Sequence, residues 1–310
     1  MQILKTSLNV DFLGKRKIAW VISAILIVIS IASLTTRGLN LGIDFTGGTL
    51  VEVGFSNPVE LDPIRKALEA ETFSDAIVQH FGTAKDVLIR LPSTDNANAS
   101  ELSNQVLAAL EVTGEPTMRR IEFVGPQVGE ELRDDGGLAV LYALFGILIY
   151  VTLRFEYRFS LGSVAALIHD VIVTVGFFSV TQAPFDLTVL AAVLAVIGYS
   201  LNDTIVVFDR IRENFRRMRK ATPVEVINGS INQTLSRTLV TSLTTLLVLF
   251  ALFFIGGEVI HSFALALIVG VVIGTYSSIY IASSMLVFLN VTSQDLMHEE
   301  KDTSELDEMP

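Results

Sequence analysis

The sequence contains no cysteine, which excludes disulfide bonds, thiolate metal sites and cysteine nucleophiles. Histidine is scarce, with 4 residues in 310, and the glycine-rich segment GIDFTGG at 42–48 lacks the Lys-Ser/Thr ending of a phosphate-binding loop. Positive charge is also limited, because 22 Lys and Arg residues face 33 Asp and Glu residues, and an acidic surface does not attract nucleic acid. We therefore expect no enzyme active site, no catalytic residue, no cofactor, no metal site and no nucleic-acid partner.

The chain is instead rich in apolar residues. Hydrophobic residues make up 51% of it and charged residues only 18%, a composition typical of an integral membrane protein. Six apolar runs can each supply most or all of a membrane-spanning helix, and they lie at 18–34, 138–153, 161–180, 187–208, 238–255 and 263–289. We expect the first run to be an uncleaved anchor, because it is longer than the ~7 to 15-residue core of a signal peptide and no A-x-A cleavage site follows it.

The distribution of Lys and Arg predicts the orientation in the membrane. Basic residues are concentrated in the N-terminal segment 1–17 and in a loop at 209–236, and the positive-inside rule assigns both segments to the cytoplasm. Both termini are then cytoplasmic, the long segment 35–137 lies outside, and 138–289 carries the second to sixth helices. The acidic tail at 290–310 is expected to be disordered in the cytoplasm.

The exported segment 35–137 predicts a small α+β domain. Its order is strand, helix, strand, strand, helix, strand, which is the ferredoxin-like βαββαβ arrangement. Asp62 and Pro63 are expected to be the N-cap and the first residue of the first helix. GIDFTGG is expected to be a turn that leads the chain from the membrane surface into the first strand. The predicted elements are a strand at 49–55, a helix after 63, strands at 76–81 and 86–91, a helix at 98–111 and a strand at 117–124.

Asp203 lies inside the fourth apolar run, directly after Asn202. Placing a carboxylate near the bilayer centre costs roughly 2.5 to 3.5 kcal/mol, so such residues usually face the interior of a helix bundle and mark paths for ions or protons. The polar pair is therefore predicted to belong to an ion or proton relay.

Other polar residues lie in neighbouring runs. Arg237 and Thr241 share one face of the fifth helix, which could line a wet path and bring Arg237 to Asp203. The alternative is that Arg237 only extends to the cytoplasmic interface. His169 and Asp170 form a second candidate pair in the third run, for which an inward structural hydrogen bond is the alternative.

Small residues form lines in two runs, with Gly198 in the fourth and Gly270 and Gly274 in the sixth. Such lines allow another helix to approach closely. We expect them to mark helix-packing faces.

Five segments carry a resemblance that covers nearly the whole chain. The chain resembles the SecF family of bacterial Sec protein translocase subunits, within the resistance-nodulation-division superfamily. The segments are LGIDFTGGT (41–49), FVGPQVGEEL (123–132), IGYSLNDTIVVFDRIREN (197–214), INQTLSRTLVTSLTT (231–245) and GTYSSIYIAS (274–283).

The resemblance implies a function and partners. The chain would be one half of a transporter-like pair with SecD in the bacterial inner membrane, among membrane lipids, and would associate with the SecYEG channel and YajC. The pair would use a proton (H+) or sodium (Na+) gradient to drive late translocation of a preprotein. Asp203 and Arg237 would belong to the relay, completed by a SecD carboxylate. The alternatives are a small-molecule or lipid exporter half, and a scaffold that transduces no energy.

Overall fold

The structure is a computed structural model that describes residues 9–71, 73–92, 99–218 and 220–292. Residues 1–8 of the predicted cytoplasmic N-terminus, residue 219 of the predicted basic loop and the predicted tail beyond 292 lie outside the described residues. Within the described ranges, six helical segments are long and apolar enough to cross a membrane, as predicted. They run over Leu13–Thr36, Pro126–Arg154, Tyr157–Thr181, Leu187–Arg217, Pro223–Ile255 and Val259–Phe288.

The helices and strands are numbered here in chain order. The helices are α1 (Arg16–Thr36), α2 (Ile43–Thr46), α3 (Leu61–Ala70), α4 (Ala99–Leu110), α5 (Pro126–Arg154), α6 (Tyr157–Thr181), α7 (Leu187–Arg217), α8 (Pro223–Ile255), α9 (Glu258–Ser277) and α10 (Ser283–Phe288). A π-helical turn, Ser278–Ala282, joins α9 to α10. The strands are β1 (Asn40–Leu41), β2 (Gly48–Phe55), β3 (Ile77–Phe81), β4 (Thr83–Leu91), β5 (Pro116–Val124) and β6 (Pro184–Phe185).

The exported domain has the predicted βαββαβ order. Its sheet has the strand order β3-β4-β2-β5, and every neighbouring pair is antiparallel. The face under α3 and α4 buries the alternate apolar residues of the strands, because side chains of a strand point to opposite faces in turn. The buried core includes Val51, Val53, Ile64, Leu68, Val87, Ile89, Val106 and Leu110.

Two local predictions in this domain were wrong. Helix α3 begins at Leu61 with Glu60 in the N-cap position, so Asp62 lies inside the first turn, where its carboxylate accepts a hydrogen bond from Arg65 at 2.8 Å. The turn between β3 and β4 is tighter than predicted. Gly82 alone makes it, at a φ of 74° that glycine tolerates, and Thr83 already belongs to β4.

The basic segment 209–236 is not a loop. Helix α7 continues to Arg217, and α8 begins at Pro223 with a capping box between Thr222 and Glu225. Glu213 stabilises the extension of α7, because it pairs with Arg210 at 2.7 Å and with Arg217 at 2.8 Å, three and four residues away.

The glycine-rich segment 42–48 is more than a turn. It contains α2, and Phe45 of α2 is buried beside Phe178 and Phe185 in a cluster that belongs to the membrane helices. The segment also crosses the start of α5, where a Cβ atom on Gly129 would lie only 2.7 Å from the backbone nitrogen of Gly47. The chain segments that lead into and out of the exported domain therefore contact each other backbone to backbone.

Further contacts fix the domain to the loop between α6 and α7. Strand β1 pairs with β6 in parallel, and the guanidinium of Arg90 on β4 donates to the carbonyl oxygen of Leu41 at 2.6 Å. Burial lowers the pKa of Arg90, whereas the negative charges of Asp186 and Asp44 act in the opposite direction. Arginine remains protonated in proteins, so a positive charge holds the sheet against β1, which in turn pairs with β6 of this loop.

Candidate ion-coupling site

Asp203 is buried between three helices, with 6% of its surface exposed. Its two carboxylate oxygens accept hydrogen bonds from different helices. Thr238 Oγ1 on α8 donates to Oδ1 at 2.8 Å, and Ser278 Oγ on the π-helical turn donates to Oδ2 at 3.1 Å. Asp203 on α7 therefore holds α8 and the sixth membrane segment together, and its charge is stabilised by hydroxyl dipoles.

Arg237 is exposed, and among the described residues no ion pair joins its guanidinium to Asp203. Arg237 and Asn202 instead line an open cleft of about 430 Å³ between α7 and α8. The expected pairing is thus absent from this arrangement, and a cation faces outward from the bundle beside the buried carboxylate.

The threonines that follow Arg237 on the same face of α8 use their donors within their own helix. Thr241 Oγ1 donates to the carbonyl oxygens of Arg237 and Thr238, at 3.0 and 2.9 Å, within its own helix. Thr245 likewise donates to the carbonyl oxygen of Thr241 at 2.9 Å. Their oxygen lone pairs can still accept hydrogen bonds, so this face of α8 offers acceptors to water or to an ion.

His169 and Asp170 form a second buried polar group on α6. Asp170 is fully buried, and its Oδ1 lies 2.9 Å from Nδ1 of His169. Its Oδ2 accepts hydrogen bonds from Ser200 Oγ on α7 at 2.6 Å and from Ser277 Oγ on α9 at 2.7 Å. The structure therefore contains two buried carboxylates, each bound by hydroxyls from two other helical segments.

The helix contact that positions both carboxylates depends on glycine. A Cβ atom on Gly274 of α9 would lie 3.0 Å from Cβ of Ser200, and one on Gly270 would lie 2.0 Å from a methyl carbon of Val196. These two predicted packing residues thus lie at the α7–α9 crossing. Gly198 is different, because a Cβ atom there would meet no described atom within 4 Å.

The hydroxyl partners of the carboxylates were not found from the sequence. Ser200, Thr238, Ser277 and Ser278 lie on three different segments of the chain, and serine and threonine are common at helix contacts in membranes. The sequence does not single out the pair Ser277-Ser278, because the same run contains a second pair, Ser283-Ser284. The structure does distinguish Ser278, which starts a π-helical turn, a feature frequent at functional sites.

Comparison with known proteins identifies the family. The family described as protein export membrane protein SecD/SecF, C-terminal, matches residues 105–292, and the SecD/SecF GG motif matches residues 32–59. The protein translocase subunit SecF of Vibrio alginolyticus is 54% identical over 100% of this chain and 99% of its own length. The chain belongs to the SecD/SecF family. The SecF of Pseudomonas aeruginosa is 53% identical over 95% of this chain and 96% of its own.

Solved structures of SecDF agree with the fold. SecDF from Thermus thermophilus, a translocon-associated membrane protein, is 38% identical, with a TM-score of 0.85 over 94% of this chain. A second SecDF structure, in a super-membrane-facing form, is 36% identical, with a TM-score of 0.69 over 100% of this chain. This chain spans only 40% and 41% of those SecDF chains. This chain therefore matches only part of each SecDF polypeptide.

Proposed function

We propose that this chain is the SecF subunit of a Sec protein translocase, and that with SecD it uses an ion gradient to drive late steps of preprotein translocation. The full-length relatives named as SecF support this function. The proposal includes the bacterial inner membrane as its location, cytoplasmic termini, and the SecYEG channel and YajC as further partners. The observation that carries the ion-coupling step is the buried carboxylate of Asp203 between α8 and the π-helical turn.

Protonation of Asp203 would change its contacts. An ionised carboxylate only accepts hydrogen bonds, whereas a protonated one also donates, so it cannot hold the same two hydroxyls in the same way. Ser278 has an alternative acceptor in its own helix, the carbonyl oxygen of Thr275 at 3.1 Å. Uptake of an ion or proton would thus loosen the contact of α7 with α8 and with the sixth membrane segment.

Helix α7 links this site to the exported domain. It rises about 24 Å from Leu187 to Asp203 at ~1.5 Å per residue. At its outer end the backbone N–H of Leu187 donates to the Asp44 carboxylate at 3.0 Å, next to the buried Phe45. A shift of α7 therefore acts on the segment that leads into the domain, which is the route we propose from ion binding to movement outside the membrane.

A second protein would complete the relay. Arg237 and Asn202 lie in an open cleft rather than in the bundle interior, so the face that they form is free to receive a carboxylate from SecD. Asp203, Arg237 and Asn202 are the proposed relay residues, with H+ or Na+ as the coupling ion. His169, Asp170 and Thr241 are the second-tier members.

The test is release of a trapped preprotein from vesicles that contain the chain, SecD and the SecYEG channel. We expect Asp203→Asn to abolish the stimulation by an imposed proton or sodium gradient, whereas Asp62→Asn, an exposed carboxylate in the outer domain, leaves it intact. The gradient that stimulates the wild type identifies the ion. If an assembled Asp203→Asn protein responds to the gradient as the wild type does, the chain is a scaffold and the coupling role is rejected.

A further inference from the structure

The buried polar group around Asp170 extends further than a single hydrogen bond. Asp170 and His169 have 0% and 4% of their surfaces exposed, and Ser200 and Ser277 bind the second carboxylate oxygen. Burying an isolated charge is very costly, so a group of this kind must be neutral as a whole or be balanced by a partner. In the described chain the one ion-pair partner of Asp170 is His169, which is a cation only when it carries a second proton.

The other ring nitrogen of His169 has no described partner. Nε2 is buried and accepts or donates no hydrogen bond within the described chain. An unsatisfied buried polar atom costs about 1 to 3 kcal/mol, which offsets part of what the contact between His169 Nδ1 and Asp170 contributes. The pair His169–Asp170 can hold one proton or two, and Nε2 is the atom that changes from acceptor to donor when the second proton binds.

The groups shown to contact this pair come from α7 and α9. On α9, the ring of Tyr276 lies 6.2 Å from that of His169, centroid to centroid, and Ser277 binds Asp170. On α7, Ser200 binds Asp170, and the other buried carboxylate of that helix, Asp203, binds Ser278, the residue after Ser277. Among the described residues no Lys or Arg forms an ion pair with Asp170.

Ser277 and Ser278 connect the two carboxylates. Ser277 binds Asp170 and Ser278 binds Asp203, so consecutive residues of one helix are held by two different acids. The π-helical turn starts at Ser278, where the backbone changes its hydrogen-bond register. A change in the charge of either acid alters its hydrogen bond to this turn. Because the two serines are consecutive, it must therefore also alter the hydrogen bond that the other acid accepts.

The end of α9, directly before this turn, reaches α1, which continues towards the exported domain. The hydroxyl of Tyr276 donates to the carbonyl oxygen of Ala19 at 2.7 Å, and Ser23 Oγ lies 3.0 Å from it. Tyr276, Ser277 and Ser278 thus join α1, α6 and α7 at one level of the bundle.

We propose that His169 and Asp170 form a second proton-binding site, and that Ser277 and Ser278 couple it to Asp203. The second site takes up and releases its own proton, while the serines act as positioning residues that transmit the state of one site to the other. Two coupled sites change each other's affinity by the same factor, and couplings of this kind are typically 5- to 150-fold, roughly one to two pH units. The inference rests on the proposed function for its purpose, but the proton binding that it describes is measurable without translocation.

The test is a pH titration of the full chain, co-purified with SecD in lipid nanodiscs, followed by the infrared absorption of buried protonated carboxyl groups and of histidine ring vibrations. We expect two components in the wild type, a histidine component from the pair His169–Asp170 and a carboxyl component from Asp203. Asp170→Asn should remove one of them, and Asp203→Asn should remove the other and displace the remaining midpoint by about one pH unit, in line with the expected coupling. The double variant Ser277→Ala, Ser278→Ala should keep both components. In this background, Asp203→Asn should displace the remaining midpoint by at most half as much as it does in the wild type. The double variant Ser277→Thr, Ser278→Thr, which keeps the hydroxyls, should show the full displacement.

Thr174→Val is the matched control, because Thr174 lies one turn further along α6 and its hydroxyl has no partner in the described chain. This variant should titrate as the wild type does. Variants are compared only after size-exclusion chromatography shows intact assembly, and His169→Gln serves in place of Asp170→Asn if the latter does not assemble, with the expected loss of the same component.

Two results would overturn the inference. One is an Asp170→Asn or His169→Gln protein with both components, and the other is an Asp203→Asn protein whose remaining component does not move. If the two components titrate with the expected coupling but preprotein translocation does not respond to an ion gradient, the proposed function alone is rejected. Gradient-driven translocation with a single titrating component would reject the second site alone.

Discussion

The crossing of the two segments that flank the exported domain depends on Gly129. A Cβ atom at this position would lie 2.7 Å from the backbone nitrogen of Gly47, and 3.2 Å from the carbonyl carbon of Phe45. A Cβ atom in ordinary van der Waals contact lies 3.4 Å or more from its neighbours, so the segments would have to separate by roughly 0.7 Å. Because the facing atoms are backbone, no side-chain rotation can relieve the contact.

The magnitude follows from two opposing effects in Gly129→Ala. Overpacking of a tight contact costs about 1 to 3 kcal/mol. Alanine gains roughly 0.5 to 1 kcal/mol over glycine inside a helix. Gly137 offers the matched control, because it lies in the same helix and a Cβ atom there would meet nothing within 4 Å. Gly137→Ala should therefore show only the gain.

The assay is the thermal midpoint of the detergent-purified chain, together with export of a reporter preprotein in cells. We expect Gly129→Ala to be less stable than Gly137→Ala by about 1 to 3 kcal/mol, and to export more slowly because the crossing connects the domain to the helices. If the two variants have the same stability and export equally well, the backbone contact between the two segments is not formed in the protein, and the reasoning fails.

Two other predictions concern contacts outside the bundle centre. Arg90→Met should speed hydrogen exchange in the segment around Leu41, because a charge-assisted hydrogen bond worth about 1.5 to 3 kcal/mol is lost. Lys66→Met, at an exposed position of α3, should leave exchange in that segment unchanged. Equal exchange rates in the two variants would show that the Arg90 hydrogen bond does not hold this segment. Thr222→Ala should lower stability by about 1 kcal/mol, because the capping box is lost, and should leave export unchanged. A strong export defect in a stably folded Thr222→Ala protein would show that the turn before α8 has a further role.

Several features could be predicted because they are local in the sequence. Apolar runs of sufficient length identify spanning helices, and alternation in 49–55 identifies a strand, since each depends on residues near in sequence. Asp203 was identifiable by itself, because a charge in such a run is costly wherever its partners lie. The predicted ends were less accurate. The polar start of α5 at Pro126 and the charged end of α7 at Arg217 carry no apolar signal, and both extend as helix beyond the apolar runs.

The site itself shows the limit of local signals. Thr238 and Ser278 bind one carboxylate from positions far apart in the chain, and neither is distinguished in sequence from other hydroxyl residues of its helix. The expectation that Arg237 would reach Asp203 followed from their similar depth, but depth does not fix the rotation of a helix about its axis. In the structure Arg237 faces the open cleft and Thr238, the next residue, faces the acid.

The sequence by itself determined the membrane class, the six spans, the βαββαβ domain and the presence of a costly carboxylate, because hydropathy and periodicity are properties of contiguous residues. Only the tertiary structure decided which hydroxyls satisfy Asp203 and Asp170, that Ser277 and Ser278 join them, and that Gly47 crosses Gly129. These contacts depend on how helices rotate and approach one another. That geometry is set by the packing of many side chains at once, which no single segment specifies.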